Sequence, residues 1–288
     1  MIDIKAFSTA LEKSSDGVWR APSTEEIHYG EMGHSACFAV EDTSFWFGHR
    51  NRCITSLITS NPPPDGKTVF DVGGGNGFVS YGLSQQGYDP VLIEPGTTGI
   101  ENAKSRGLKN IIHGTTQSSG LINNSIPAIG LFDVIEHIED DRAFCREMNR
   151  LLMDRGMLYA TVPAYQGLWS DDDVKAGHFK RYTRKSLSAL LNACGFEVVY
   201  STYIFWFLPL PVYVFRTLPA KLINNKNNAN HDTVRKVEKD HSARKSFVGD
   251  LVSRALYPET KAIDQGISLP FGGSCLLAAR KISTASDS

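Results

Sequence analysis

The chain has 288 residues, 41% of them hydrophobic, and a formal net charge of −1. That suffices for one large α/β domain with additions or for two small ones, and the near-neutral balance argues against a nucleic-acid substrate. The five cysteines (37, 53, 145, 194 and 275) are odd in number, scattered and without a Cys-x-x-Cys pair, which argues against a disulfide framework or a zinc site and for a reducing cytosol.

The N-terminal Met1-Ile-Asp-Ile-Lys-Ala has no basic segment leading into a long apolar run, so no signal peptide is expected and a cytoplasmic location is. Residues 1–64 read as an N-terminal cap or lid with helical character. Within them, Phe45-Trp-Phe-Gly-His-Arg-Asn-Arg52 is dense in aromatics and cations, and positions 53, 54, 57 and 58 have helical spacing. Asn61-Pro-Pro-Pro-Asp-Gly66 ends that helix, because proline cannot continue it.

Strands and helices then alternate over residues 65–200. Thr68–Val72 reads as a buried strand, and Phe78 to Gln86 as a helix closed by Gly87. Pro90–Glu94 is a second strand, Gly99–Arg106 a short helix, Lys109–His113 a third strand and Ala128–Ile135 a fourth. Asp140–Met153 is a helix with Phe144, Met148, Leu151 and Leu152 on one face; Met157–Val162 is a fifth strand. Thr183 caps a further helix with an apolar face of Leu187, Leu190, Leu191 and Cys194, and Phe196–Tyr200 is a sixth strand. Repeated β-α-β units with apolar strands predict a doubly wound parallel sheet with helices on both faces. Residues 201–268 read as an aromatic and helical insertion, and 269–283 as the closing strand. The apolar run Tyr203–Phe215 contains Pro209 and Pro211 and is shorter than the about 20 residues that span a bilayer. It reads as core of the insertion, with a substrate wall or a peripheral membrane contact as alternatives.

The most informative stretch is Val69-Phe-Asp-Val-Gly-Gly-Gly-Asn-Gly-Phe78. A glycine turn between a strand and a helix N-terminus exposes free N–H groups to a ligand. The dinucleotide fingerprint Gly-x-Gly-x-x-Gly would need glycine where Phe78 stands, so the register favours a nucleoside without a pyrophosphate over NAD. Glu94 lies 21 residues after Gly73, near the ~20 expected of an acid that binds ribose hydroxyls.

Val69–Gly77, Ile93-Glu94, Leu131-Phe-Asp-Val-Ile-Glu-His137 and the helix-then-strand Met148–Val162 resemble class I S-adenosylmethionine-dependent methyltransferases. The subgroup is similar to the ubiquinone-biosynthesis O-methyltransferases and bacterial small-molecule methyltransferases. The resemblance implies a seven-stranded Rossmann-like sheet with an antiparallel last strand, and S-adenosyl-L-methionine as cofactor. It places Gly73, Gly75 and Gly77 under the methionine part of the cofactor, Asp71 beside that loop, and Glu94 at the ribose. Asp133 joins the cofactor residues. Gly114-Thr-Thr116 occupies the place of the family's adenine-facing polar residue, which makes Thr115 and Thr116 the candidates there. Arg50 is a candidate partner of the methionine carboxylate, with packing of its helix onto the domain as the alternative reading.

Methyl transfer to oxygen needs a base near neutral pH, a role that suits histidine. His178 and His137 compete for it. His178 lies in a loop, residues 168–183, that also supplies Trp169, Arg181 and Tyr182 as candidate substrate contacts. Glu136 with His137 would suit a divalent cation but lacks a clear further ligand, so no metal is assigned. The expected acceptor is a small or lipid- or sugar-linked molecule, not nucleic acid. An NAD-dependent oxidoreductase and a non-catalytic binding module are the alternatives.

Overall fold

The computed structural model describes residues 2–22, 37–207 and 247–283, without side-chain detail for 247–254. Nine strands form one sheet: β1 (Glu12–Lys13), β2 (Trp19–Arg20), β3 (Thr68–Val72), β4 (Asp89–Glu94), β5 (Ile111–His113), β6 (Ile126–Phe132), β7 (Leu152–Pro163), β8 (Phe196–Ile204) and β9 (Ser274–Lys281). Their order is β1-β2-β5-β4-β3-β6-β7-β9-β8. From β5 to β7 all neighbours run parallel, whereas β9 is antiparallel to both β7 and β8. The expected seven-stranded sheet with its antiparallel last strand is therefore present.

The two additional strands correct the expectation of a purely helical N-terminal cap. Residues 12–20 form an antiparallel hairpin, and β2 pairs in parallel with β5. The strands are two residues long with little apolar pattern, so period-2 alternation could not reveal them. Tertiary contacts hold the hairpin: Trp19 packs into the main core, and Arg20 Nη1 lies 2.7 Å from His113 Nδ1.

Among the described residues, the helices used below are α1 (Phe45–Ser60), α2 (Phe78–Gln85), α3 (Thr97–Ser105), α4 (Asp141–Leu151), α5 (Asp171–Ala176), α6 (Arg184–Ala193) and α7 (Phe247–Asp264). Alternate residues of each central strand enter different cores. Phe70, Ile129, Leu131, Leu158, Ala160 and Leu277 meet α4 and α6 through Met148, Leu151, Leu187 and Leu191. Val69, Ala128, Met157, Tyr159, Leu276 and Ala278 meet α1, α2 and α7 through Ile54, Leu57, Leu83 and Ile263. Two apolar faces on one parallel sheet require helices on both sides.

Local signals set the helix ends. The Ser44 side chain accepts from Trp46 N and starts α1 earlier than the 53–58 pattern suggests. The aromatic cluster is thus the first turn of that helix: Trp46 stacks on Phe205 at 3.9 Å, and Phe47 meets Phe78 edge-on at 6.3 Å. Asp140 caps α4, and Thr183 with Ser186 forms a capping box on α6. The buried stripe of α4 runs through Cys145, Met148 and Leu151, because Leu152 already begins β7.

Residues 201–204, read from the sequence as the start of the insertion, instead continue β8. Tyr203, Ile204 and Phe205 are buried, so this part of the run 203–215 is core; residues 208–215 lie outside the described residues. The buried Glu259 of α7 accepts from Phe205 N at 2.9 Å, Trp206 N at 2.7 Å and faces His49 Nε2 at 2.7 Å. No helix among the described residues is long and apolar enough to cross a membrane.

Candidate active site

Strands β3 and β4 pair in register, with Val72 opposite Ile93, so the glycine turn after β3 lands beside Glu94. Gly75 N donates to Glu94 Oε2 at 2.9 Å and Gly96 N donates to Oε1 at 2.7 Å. Each carboxylate oxygen accepts more than one hydrogen bond, so capacity for a diol remains. Gly73, Gly75 and Gly77 take φ of +67°, +54° and +71°, the left-handed region that glycine enters at little cost. Gly74, which the spacing argument passed over, is equally constrained. A Cβ there would lie 2.6 Å from the Asp71 carboxylate.

Asp71 is completely buried beneath this turn. Ser80 Oγ donates to its Oδ2 at 2.7 Å, while Oδ1 has no partner. Burial pushes the carboxyl up to about 6, against the opposing effect of the Ser80 hydrogen bond. The residue supports the loop from below, in line with an orienting role.

After β5, Thr116 is buried, and Thr115 N donates to Ser118 Oγ at 2.9 Å in a compact turn. The sequence pattern carried the fourth strand on to Ile135, but β6 ends at Phe132. Asp133 takes φ of +59°, and a short 3-10 turn follows over Ile135–His137. Asp133 accepts from Thr161 Oγ1 at 2.8 Å and pairs with Arg50 Nη2 at 2.9 Å. Arg50 also donates to Phe132 O at 3.0 Å, so α1 is tied to the ends of β6 and β7. Its buried Nε has no partner.

The sequence-distant histidines do meet. The His137 and His178 rings lie 4.7 Å apart, edge to face at 75°. Burial lowers the His137 pKa, and the neighbouring His178 lowers it further. Glu136 is 1% exposed and its Oε2 has no partner. Burial, then the charge of Asp133, raises its pKa well above the carboxylate norm. Phe179 N donates to Glu136 O at 2.7 Å, which ties the 168–183 loop to the turn after β6.

Two of the substrate candidates are engaged by neighbouring side chains and backbone. Arg181 directs Nε and Nη2 at the Asp173 carboxylate, at 2.7 and 2.9 Å, and Nη1 at Ala164 O. Tyr182 is 4% exposed and donates its hydroxyl to Asp141 Oδ2 at 2.8 Å. Both brace the loop. Trp169 is partly buried just before α5.

The organising residue of the loop is Asp173, which composition alone did not single out. It faces His178 Nδ1 at 2.9 Å, holds Arg181 in a bidentate grip and accepts from Ser170 N at 2.8 Å. Burial opposes ionisation there, but the His178 and Arg181 hydrogen bonds prevail and hold its carboxyl well below the usual range. The available signal was Ser170-x-x-Asp173, a capping box ahead of α5.

The family of methyltransferase domains has a model that matches residues 46–201, more than half of the chain. The chain belongs to that family. Curated relatives described as uncharacterized methyltransferases, from Mycobacterium sp. strains JLS and KMS, are 25% identical over 130 residues, covering 42% of this chain and 52% of each relative. The chain spans about half the length of the curated relatives it matches. Among solved structures, a phosphoethanolamine N-methyltransferase of Haemonchus contortus, bound to S-adenosylhomocysteine, is 14% identical with a TM-score of 0.54. That match covers 89% of this chain and 58% of the other. A SAM-dependent methyltransferase of Thermotoga maritima is 14% identical with a TM-score of 0.50, covering 88% and 99%. These likenesses concern the fold.

The residues present fit S-adenosylmethionine. Four of the five residues in the turn 73–77 are glycine, the Asn76 side chain is turned to Glu41 and Asn102, and Glu94 stands beside Gly75. On the opposite side of the loop, a Cβ on Gly99 would fall 2.8 Å from Gly75 O, so α3 also approaches through bare backbone.

Proposed function

We propose that the protein is an S-adenosylmethionine-dependent methyltransferase acting on a hydroxyl of a small or lipid- or sugar-linked molecule. The observation that carries the donor half is the pairing of the glycine turn with Glu94 across adjacent parallel strands. Gly73–Gly77 and Glu94 would hold the donor, with Thr115 and Thr116 on the adenine side and Arg50 near the methionine end. When bound, S-adenosylmethionine supplies a methyl group already activated on a sulfonium, so positioning the acceptor provides much of the rate.

The acceptor half rests on the His137–His178 pair beyond the ends of β6 and β7. Asp173 against His178 Nδ1 fixes the ring so that Nε2 serves as the working nitrogen. A base oriented by a buried carboxylate suits removal of a hydroxyl proton. An oxygen nucleophile needs that step.

Calorimetry with S-adenosylhomocysteine tests the donor half. The wild type should bind and Gly75→Arg should not; failure of the pure wild-type protein to bind overturns the reading. For the acceptor half, incubation of enzyme and donor with a cell extract should yield a product one methyl heavier, methylated at oxygen. His178→Ala should then lower turnover about 10²- to 10⁴-fold while S-adenosylhomocysteine affinity stays within threefold. Unchanged kcat in that variant, together with loss of activity in His137→Ala, would move the base role to His137.

A further inference from the structure

A cluster of ionisable side chains that the proposed methyl transfer does not use lies in the seam between α1 and α7. His49 and Cys53 stand at i and i+4 on α1, so both leave the same face of that helix. Glu259 comes from α7, and the three residues are 0%, 0% and 1% exposed. His49 Nε2 lies 2.7 Å from Glu259 Oε2 and 3.3 Å from Cys53 Sγ. One ligand atom from each residue falls within 4.8 Å of the other two. Cysteine spacing could not reveal this set, because it holds a single cysteine and its third member is on a distant helix.

Protons alone serve the arrangement poorly. A ring nitrogen carries one hydrogen or one lone pair, so Nε2 can donate to the carboxylate or accept from the thiol, but not both. His49 Nδ1 is buried without a hydrogen-bond partner, so the polar contacts of the ring fall on Nε2. A cation where nitrogen, oxygen and sulfur converge satisfies all three at once. The carboxylate is already held for such a role: Phe205 N donates to Oε2 at 2.9 Å and Trp206 N to Oε1 at 2.7 Å. Each oxygen keeps further accepting capacity, and hydrogen bonds behind a ligating carboxylate are the outer support that metal sites use. Phe205 takes φ of +62°, a region bulky residues rarely enter, and this strain is kept where two successive amides face Glu259.

We propose that His49, Cys53 and Glu259 hold one divalent ion of the Zn²⁺ class, which pins α7 to α1. Thiolate, imidazole and carboxylate are the ligands of Zn²⁺ and of its substitute Co²⁺, whereas Mg²⁺ and Ca²⁺ take oxygen. In the metal-free chain burial, then the charge of Glu259, holds the Cys53 thiol protonated. On binding, the metal–sulfur bond forms as the S–H bond breaks, and the proton leaves to solvent. A water completes the tetrahedron. The pinned helix α1 also carries Arg50, which reaches Phe132 O and Asp133 at the strand ends. The inference does not rest on the methyltransferase reading, since neither donor nor acceptor enters it.

The test uses the full chain, stripped with a chelator and titrated with Co²⁺ and Zn²⁺ alone. The expected result is one equivalent bound, with a near-ultraviolet thiolate-to-Co²⁺ absorption band and a higher melting temperature. Cys53→Ala should lose that band, and both Cys53→Ala and Glu259→Gln should bind at least ~100-fold more weakly and no longer melt higher with metal. Circular dichroism and S-adenosylhomocysteine affinity report that each variant is folded, and Cys53→Ser serves if Cys53→Ala is not. No stoichiometric binding to folded wild type overturns the proposal. So does binding without the thiolate band, or binding that survives both substitutions. A wild type that binds metal but not S-adenosylhomocysteine leaves this site standing and sinks the methyltransferase reading instead.

Discussion

The proposed donor end and the proposed acceptor end, both beyond the carboxyl ends of the strands, are built on different principles. At the donor end, Gly73–Gly77 present backbone, and one carboxylate, Glu94, ties that backbone across to the next strand. At the acceptor end nearly everything is side chain: Glu136, His137, Asp173, His178 and Arg181 gather in a partly buried mesh. A backbone cradle serves one ligand common to a whole family. A side-chain mesh can be changed residue by residue, and the bracing roles found for Arg181 and Tyr182 show how much of it serves to hold the few groups that face outward.

That contrast breaks most sharply at Gly74. Valine there must displace Asp71 or Leu92. We expect S-adenosylhomocysteine affinity to fall at least 100-fold, on the order of 3 kcal/mol, in calorimetry. Affinity within threefold of wild type would show that the cradle is not the donor site.

The buried Asp71 carboxyl supplies a pH-dependent counterpart. Its folded pKa is raised from 3.8 to about 6, so the folded state binds the proton more tightly than the unfolded chain does. Stability is therefore greatest below the unfolded value and falls as pH rises through about 6. Asp71→Asn keeps an acceptor for Ser80 and removes the charge. Above that range the ligand-free variant should be more stable than wild type by up to about 3 kcal/mol, with the difference vanishing at low pH. Denaturant melts of both proteins across pH 4 to 8, a range of about 4 units around these values, would refute this if the two curves stayed parallel.

Glu94→Gln probes the tie between loop and strand. One acceptor oxygen survives, so the loop should persist while the charge-assisted bonds weaken. S-adenosylhomocysteine affinity should drop about 10- to 100-fold, in keeping with ~1.5–3 kcal/mol for a bond to a charged group. An unchanged Kd would remove Glu94 from the donor site. The smallest effect is expected at Tyr182→Phe, which deletes the hydroxyl donated to Asp141. A loss of about 1–2 kcal/mol of stability with kcat/KM unaltered would keep Tyr182 as a brace. A large fall in kcat/KM at unchanged stability would restore it as a substrate contact.

How much was legible follows the same division. The strand, turn and helix from Thr68 to Gln85 sit where the glycine spacing puts them, because positive φ and close approach are local demands that only glycine meets cheaply. Glu94 was legible as an acid at a strand end. The β1–β2 hairpin was not, since two-residue strands carry no periodicity. The Tyr182–Asp141 bond was not legible, because an aromatic in a polar loop looks available until its neighbours are known.

By itself, then, the sequence determined the alternation of strands and helices, the glycine cradle and its acid partner. Each of these depends on interactions within a few residues or on periodic burial. Tertiary structure alone decided that His178 would reach His137 and Glu136, and that Arg50 would close on Asp133. Those contacts join segments separated by a strand or more, and they exist because the ends of β6 and β7 lie side by side in the sheet.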